Sequence, residues 1–390
     1  MHTTVGIIGG GPAGLLLSRL LHRAGVDCVV LERRERTYVE QRQRAGILEQ
    51  STVDALREVE AAARLDAEGL VHDGIELRWE GRSHRIDFPS LTGGRRVWVY
   101  AQTEVVKDLI ALQLADGAAL HFRAEVSSVE GADTDRPTVR YSHDGQDRTL
   151  TCDYVVGCDG FHGVTRAAVP EGARRTFERV YPYSWFGILA DVAPSCDELV
   201  YAHSPRGFAL HSMRSPEVSR MYLQVPNGTD PSAWPDERIW EELDARFALD
   251  GWKLNRGPIT SRSVLPMRSS VTEPMRYGRV FLAGDAAHIV PPTGAKGLNL
   301  AAADVVVLSR ALTRQHRTGA TDLLDAYSDT CLRRVWRAEH FSYFMTTTLH
   351  TDPDHDPFDT RLQIAQLDRI ATSPHAASEL AMNYAGLPLP

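Results

Sequence analysis

No uninterrupted apolar run in this chain reaches the ~18 residues that a bilayer-spanning helix needs, so no membrane span is expected. No signal peptide precedes the first apolar segment, because Val5-Gly6-Ile7-Ile8 already reads as core, and a cytoplasmic location is expected. Cysteine is scarce. Its five residues (Cys28, Cys152, Cys158, Cys196, Cys331) are scattered and odd in number, with no C-x-x-C pair. Neither a metal site nor a disulfide framework follows from that spacing, and reduced thiols are expected. A surplus of positive charge is also missing, since the formal net charge is -8. Nucleic acid and anionic membranes both call for a basic face, so neither is expected as a partner. Internal repeats and low-complexity segments are absent.

What is present is an ordinary globular composition, 43% hydrophobic and 24% charged, over 390 residues. That length predicts two or more packed units. The N-terminal segment reads as a βαβ unit. Thr4–Ile8 is a strand, Pro12–Arg23 a helix with Gly25 closing it, and Cys28–Leu31 a second strand with Glu32 at its end. The polar, arginine-rich stretch Arg33–Arg44 leads into a helix-like Ile47–Val59. From His72 to Val99 the residues alternate and predict antiparallel strands, followed by a helix over Thr103–Leu114. Between Tyr181 and Val225 most segments read as strands, a poor continuation of a doubly wound sheet and the mark of a β-rich insert. Trp234–Phe247 is helical and Pro258–Met267 extended. Val280–Ala283 is again a buried strand, Leu298–Leu312 and Asp322–His340 are long helices, and a polar, proline-punctuated tail follows Thr351.

Three strand ends carry the chemistry. Gly9-Gly10-Gly11-Pro12-Ala13-Gly14 satisfies G-x-G-x-x-G between a strand and a helix. Gly9 permits the turn, Gly11 admits a pyrophosphate, and Gly14 lets helix and strand pack closely. The helix N-terminus directs free N–H groups at the phosphates, and Glu32 stands where an acid takes a ribose hydroxyl. The motif alone does not separate FAD from NAD. The other two ends are Tyr154–Gly160, continuing through His162 to Arg166, and Arg279–His288. Each puts an aspartate, Asp159 or Asp285, beside a glycine at the mouth of a strand. Read singly, each is an ordinary turn or cap.

In this order the three segments resemble the fingerprints of the FAD-dependent aromatic hydroxylases, the class A flavoprotein monooxygenases, over nearly the whole chain. The resemblance implies an α/β fold: a Rossmann-like FAD-binding domain, an inserted β-rich substrate domain and C-terminal helices. The expected boundaries are 1–71, 98–180 and 268–348 for FAD, 72–97 and 181–267 for substrate, and 349–390 for a C-terminal helical interface segment. It also assigns Arg42, Arg44, Gln102, Leu298 and Asn299 to tightly bound, non-covalent FAD. Pro291–Asn299 opens a helix whose N–H groups would stabilise charge on reduced flavin.

The insert narrows the resemblance to the 4-hydroxybenzoate 3-monooxygenase family. Tyr201, Ser212, Arg214 and Tyr222 fall on three predicted strands, and Ser212 and Arg214 share a face by strand periodicity. A guanidinium fork with hydroxyl neighbours suits a carboxylate. On their own these are ordinary strand residues. The family likeness makes Tyr201 the phenol contact and Ser212, Arg214 and Tyr222 the carboxylate contacts. It places backbone near Pro292 against the substrate, and gives Arg220 a part in flavin movement. Tyr384 and His72 complete a proton relay, with His72 at its surface end and titrating near physiological pH.

A phenol has a pKa of ~10, so a relay that removes its proton would make the ring electron-rich enough to attack activated oxygen. The implied product is 3,4-dihydroxybenzoate, made with O2 and NADPH or NADH. No second strand–G-x-G-x-x-G–helix unit exists for the nicotinamide. By the resemblance it binds at the surface through Arg33, Tyr38, Arg44, His162, Arg166 and Arg268. Arg33, Arg34 and Arg36 would hold a 2′-phosphate and Glu35 would repel one, so the choice of donor stays open. A homodimer is implied by the family alone. Competing readings are a hydroxylase for 3-hydroxybenzoate or 4-aminobenzoate, and a non-catalytic FAD-binding redox sensor. A flavin-dependent halogenase is disfavoured, since the chain lacks Trp-x-Trp-x-Ile-Pro.

Overall fold

The computed structural model describes residues 1–42, 46–354 and 356–389. Its first sheet is built around His2–Ile8, which runs parallel to both Gln146–Gly157 and Cys28–Glu32. Val280–Leu282 and Ala119–Phe122 extend the parallel order on either side. The central strands are apolar almost without a break because both faces are covered. Helices Pro12–Arg23, Gln102–Ala115 and Gly297–Thr318 bury Leu15, Val105 and Val305 against one face. Val126, Val139 and Leu150 cover the other. Pro12 starts its helix at a position whose N–H would be unpaired anyway. Gly25, at φ +75°, ends it.

The second sheet runs in the order His288–Ile289, Ile259–Glu273, Arg175–Ala190, Val218–Pro226, Ala209–Ser215, Leu199–Ala202, Gly74–Trp79, Arg82–Asp87. Alternation divides its side chains. Leu77, Trp185, Tyr201, Leu210 and Tyr222 face the C-terminal helices Tyr327–Leu349, Pro357–Thr372 and Pro374–Ala385. Phe186, Val200, Ala209 and Leu223 face the helix Asp236–Phe247. A third, small sheet joins Ile47–Glu49, Val97–Val99 and Leu70–His72. The expected α/β class, with a β-rich sheet and C-terminal helices, is what the chain adopts. No helix among the described residues is long and apolar enough to cross a membrane. No group of three or more metal-ligating side chains occurs among them either.

Local expectations fail in three places, while the tail is helical as expected. The expected helix Ile47–Val59 begins as the strand Ile47–Glu49, and only Gln50–Glu58 is helical. Pairing with Val97–Val99 and two hydrogen bonds with the Asn299 side chain, one accepted from Glu49 N–H and one donated to the Ile47 carbonyl, take up its backbone groups. The strand-rich stretch 72–99 contains the short helix Phe88–Thr92, started by Pro89 and capped by Asp87, which accepts the Ser90 N–H at 2.9 Å. The helix expected over Asp322–His340 breaks at Ala326 and continues to Leu349. In the tail, Asp356-Pro357 and Ser373-Pro374 are helix starts, each an N-cap followed by proline.

Candidate active site

Three parallel strands end side by side, so their C-terminal loops converge. This is where parallel sheets bind ligands. The loops enclose a cleft of about 280 Å³ lined by Gly9, Gly11, Glu32, Asp159, Gly284 and Asp285. Gly9 stands at φ +106°, a conformation only glycine adopts easily. A Cβ on Gly14 would collide with the Gly9 carbonyl oxygen, whereas a Cβ on Gly11 would meet no protein atom within 4 Å. The space at Gly11 therefore opens on the cleft, and the turn fits a dinucleotide pyrophosphate. Gly11→Ala should leave the unfolding temperature of the apoprotein unchanged, because φ is -79° and the space is free. It should weaken FAD binding at least about tenfold, a loss of ~1.4 kcal/mol, in a fluorescence titration. Unchanged affinity would contradict the placement.

The other expected cofactor residues are placed unequally. Glu32 Oε2 accepts the Gly10 N–H of the turn and Oε1 accepts the Arg34 N–H, at 2.7 Å each. Arg42, Gln102 and Leu298 line the cleft. Asp159 holds its own loop, taking the Thr165 N–H and hydroxyl at 2.9 Å. Its other oxygen is buried without a partner among the described residues, and burial raises the Asp159 pKa. The Asn299 side chain is held within the protein: it accepts from Glu49 N–H and the Thr52 hydroxyl and donates to the Ile47 and Ala295 carbonyls. Its amide hydrogens are spent within the protein, so only its backbone is left for a cofactor. Arg44 lies outside the described residues. Behind the Asp285 loop, Asp304 binds the Gly284 N–H and His288 Nε2 at 3.0 and 2.6 Å. Burial opposes charge on His288, but Asp304 outweighs it and the net shift is upward.

Of the nicotinamide candidates, Arg33, Tyr38 and His162 line the same cleft. Arg34 lies over the Tyr38 ring and Arg36 pairs with Glu40. Arg166 and Arg268 meet elsewhere, with guanidinium carbons 4.7 and 5.0 Å from the ring centre of Phe161. The sequence reading missed Phe161, although it sits inside the second fingerprint.

The substrate candidates gather on the helix-facing side of the second sheet. Tyr201 pairs in register with Leu210, and Leu210 with Tyr222. The two tyrosines thus lie in one cross-strand row two strands apart, about 10 Å between backbones. Gly187 is the next position in that row, where a side chain would crowd the Tyr222 ring. Ser212 is buried. The ladder then slips between Met213 and Ser215, a bulge that sets the direction of the half-buried Arg214. Arg214 Nη2 donates to the Thr103 hydroxyl at 3.2 Å, while Nη1 is buried with no partner among the described residues. Burial, then the like charge of Arg220, lowers the Arg214 pKa. Arg220 sits opposite Ser212 and 5.3 Å over the Tyr222 ring. Pro292 opens a single turn, Pro292–Gly294, just before Gly297–Thr318.

Further along the row, the Tyr201 and Tyr384 hydroxyls are 2.7 Å apart and both rings are 1% exposed. Burial keeps both phenols neutral by raising their pKa values. Lys296, missed by the sequence reading, donates to Glu49 at 2.6 Å and to the Tyr384 carbonyl at 2.9 Å. His72 contradicts expectation. It is 1% exposed, neither ring nitrogen has a partner among the described residues, and burial lowers its pKa to about 4. It is neither at the surface nor titrating near neutrality.

His211 and His350 are likewise buried, with pKa values lowered to about 4 and about 3 by burial. The unfolded chain binds protons at these sites below pH ~6.5 while the native state does not. Their effect on stability is therefore absent above that pH and grows as pH falls towards 4. The unfolding free energy read from urea titrations should drop between pH 6.5 and 4, by roughly 1 kcal/mol or more per histidine. Replacing His350 with Gln should flatten the slope.

The family model described as "FAD binding domain" matches residues 2–342. The chain is 49% identical over its full length to p-hydroxybenzoate hydroxylase of Acinetobacter baylyi, covering 96% of that protein. It is 29% identical to the dialkyldecalin synthase of Streptomyces rugosporus, over 84% of this chain and 69% of that one. Among solved structures, p-nitrophenol 4-monooxygenase PnpA from Pseudomonas putida superposes with a TM-score of 0.84 at 20% identity, covering 98% of each chain.

Proposed function

Because the chain belongs to the class A FAD-dependent aromatic hydroxylases, we propose that it converts 4-hydroxybenzoate to 3,4-dihydroxybenzoate. The observation that carries this reading is the buried Arg214 Nη1, unpartnered among the described residues, beside Ser212 and Tyr222, with the Tyr201–Tyr384 pair further along the same row. A buried guanidinium N–H without a partner favours an anion. A carboxylate there directs the opposite end of the ring at Tyr201.

FAD, reduced by NADPH or NADH, supplies the electrons with which O2 is divided between the ring and water. The protein's share is placement and proton movement. Gly9, Gly11 and Glu32 hold the dinucleotide. Arg214 and Ser212 fix the carboxylate, which sets the carbon ortho to the hydroxyl in position. Tyr201 accepts the phenol proton as it passes its own to Tyr384, so neither tyrosine need ionise. In this reading His72 stays neutral at physiological pH and takes the proton only in passing. The same reading includes a homodimer in the cytoplasm.

Purified, yellow protein should oxidise NADPH or NADH and take up O2 far faster with 4-hydroxybenzoate than without, with 3,4-dihydroxybenzoate as product. No stimulation with either donor overturns the reading. Faster, coupled turnover with 3-hydroxybenzoate or 4-aminobenzoate reassigns the substrate.

A further inference from the structure

We infer that Thr103 is a positioning residue for the aromatic acid, acting through Arg214. The inference rests on Arg214 being the carboxylate anchor. Thr103 is 3% exposed, in the first turn of the helix Gln102–Ala115, and its neighbour Gln102 lines the cofactor cleft. Arg214 comes from the other sheet, 111 residues later. The Nη2–Oγ1 bond at 3.2 Å is the guanidinium's hydrogen bond to the protein, and it joins the two halves of the site.

Arg214 needs such a tether. It projects from a bulge rather than a regular strand position, and the like charge of Arg220 repels it. An arginine side chain has many rotamers, and each hydrogen bond fixed before binding lowers the entropy lost on binding. The guanidinium is a planar fork. Holding Nη2 against Thr103 leaves Nη1 for a carboxylate. As an acceptor from Arg214, the Thr103 hydroxyl directs its own hydrogen elsewhere, and Glu104 Oε1 stands 3.4 Å away. Glu104 is itself held by Lys107 at 2.8 Å and by Arg64. The orientation of the anchor is thus set by the helix beside the cofactor cleft, which ties carboxylate position to cofactor position.

The test is a coupling cycle on the FAD-loaded protein. Dissociation constants for 4-hydroxybenzoate are read from substrate-induced changes in flavin absorbance for Thr103→Val, Thr103→Ser, Arg214→Met and the Thr103→Val/Arg214→Met pair. Thr103→Val should bind about tenfold more weakly. Thr103→Ser, which keeps the hydroxyl, should stay within about twofold of the parent. In the Arg214→Met background Thr103→Val should cost nothing further. Parental affinity in Thr103→Val, failure of serine to rescue, or a Thr103 penalty that persists without Arg214 each overturns the inference and leaves the substrate reading standing. Parental affinity in Arg214→Met instead overturns the substrate reading, and this inference with it.

Discussion

Arg214→Met should raise the dissociation constant for 4-hydroxybenzoate on the order of a thousandfold, ~4 kcal/mol. The size follows from burial. Nη1 has no partner among the described residues and little water, so a carboxylate reaching it forms a charge-assisted pair with weak screening. Removing the guanidinium leaves the carboxylate desolvated, with the hydroxyls of Ser212 and Tyr222 nearby. Truncating one partner of a buried charged pair costs ~2–5 kcal/mol. Methionine keeps much of the stem's apolar packing, so FAD binding and the thermal midpoint should hold. Phenol, which lacks the carboxylate, is the control, and its affinity should change little. A loss of less than about tenfold for 4-hydroxybenzoate, or an equal loss for phenol, would show that Arg214 does not anchor the acid.

Tyr201→Phe should leave substrate affinity within about tenfold while cutting ring hydroxylation roughly a hundredfold or more. The Tyr201 hydroxyl bonds Tyr384 at 2.7 Å, and it is the relay's first member in the mechanism proposed above. Phenylalanine preserves the ring and its contacts with Phe208 and Tyr384. The substrate then keeps its phenol proton, and its ring is too electron-poor to attack activated oxygen in time. Nicotinamide oxidation and O2 uptake should continue, with hydrogen peroxide replacing 3,4-dihydroxybenzoate. Product formed at the parental rate and yield would remove Tyr201 from the relay.

The sequence made some of this legible and hid the rest, for reasons visible in single residues. The Gly9–Gly14 turn could be read because its constraints are local: one positive φ and one close approach within six residues. Tyr201, Ser212 and Arg214 could be placed on strands by alternation, but their meeting depends on register, and only family resemblance suggested it. The commitment of the Asn299 side chain could not be read, because its partners, Glu49 and Ile47, lie some 250 residues away. Nothing local shows that its amide is already committed. His72 misled for the same kind of reason. Its pKa is set by burial among distant elements, and burial has no signature at a single position. Phe161 and Thr103 were passed over because an aromatic in a loop and a threonine in a helix are unremarkable until arginines from elsewhere arrive beside them.

The slip in the ladder at Arg214 bears on how such a pocket can evolve. A strand paired on both sides gains or loses residues badly, since a shift of one turns every side chain to the opposite face. A bulge is the exception, because the extra residue is already outside the ladder. A single insertion or deletion there would lengthen or shorten the reach of the anchor while Tyr201 and Tyr222 kept their places. In the site proposed above, one end is locked by register and the other is adjustable by small mutational steps, so a lineage selected for longer or shorter aromatic acids would find its variation at residues 213–215.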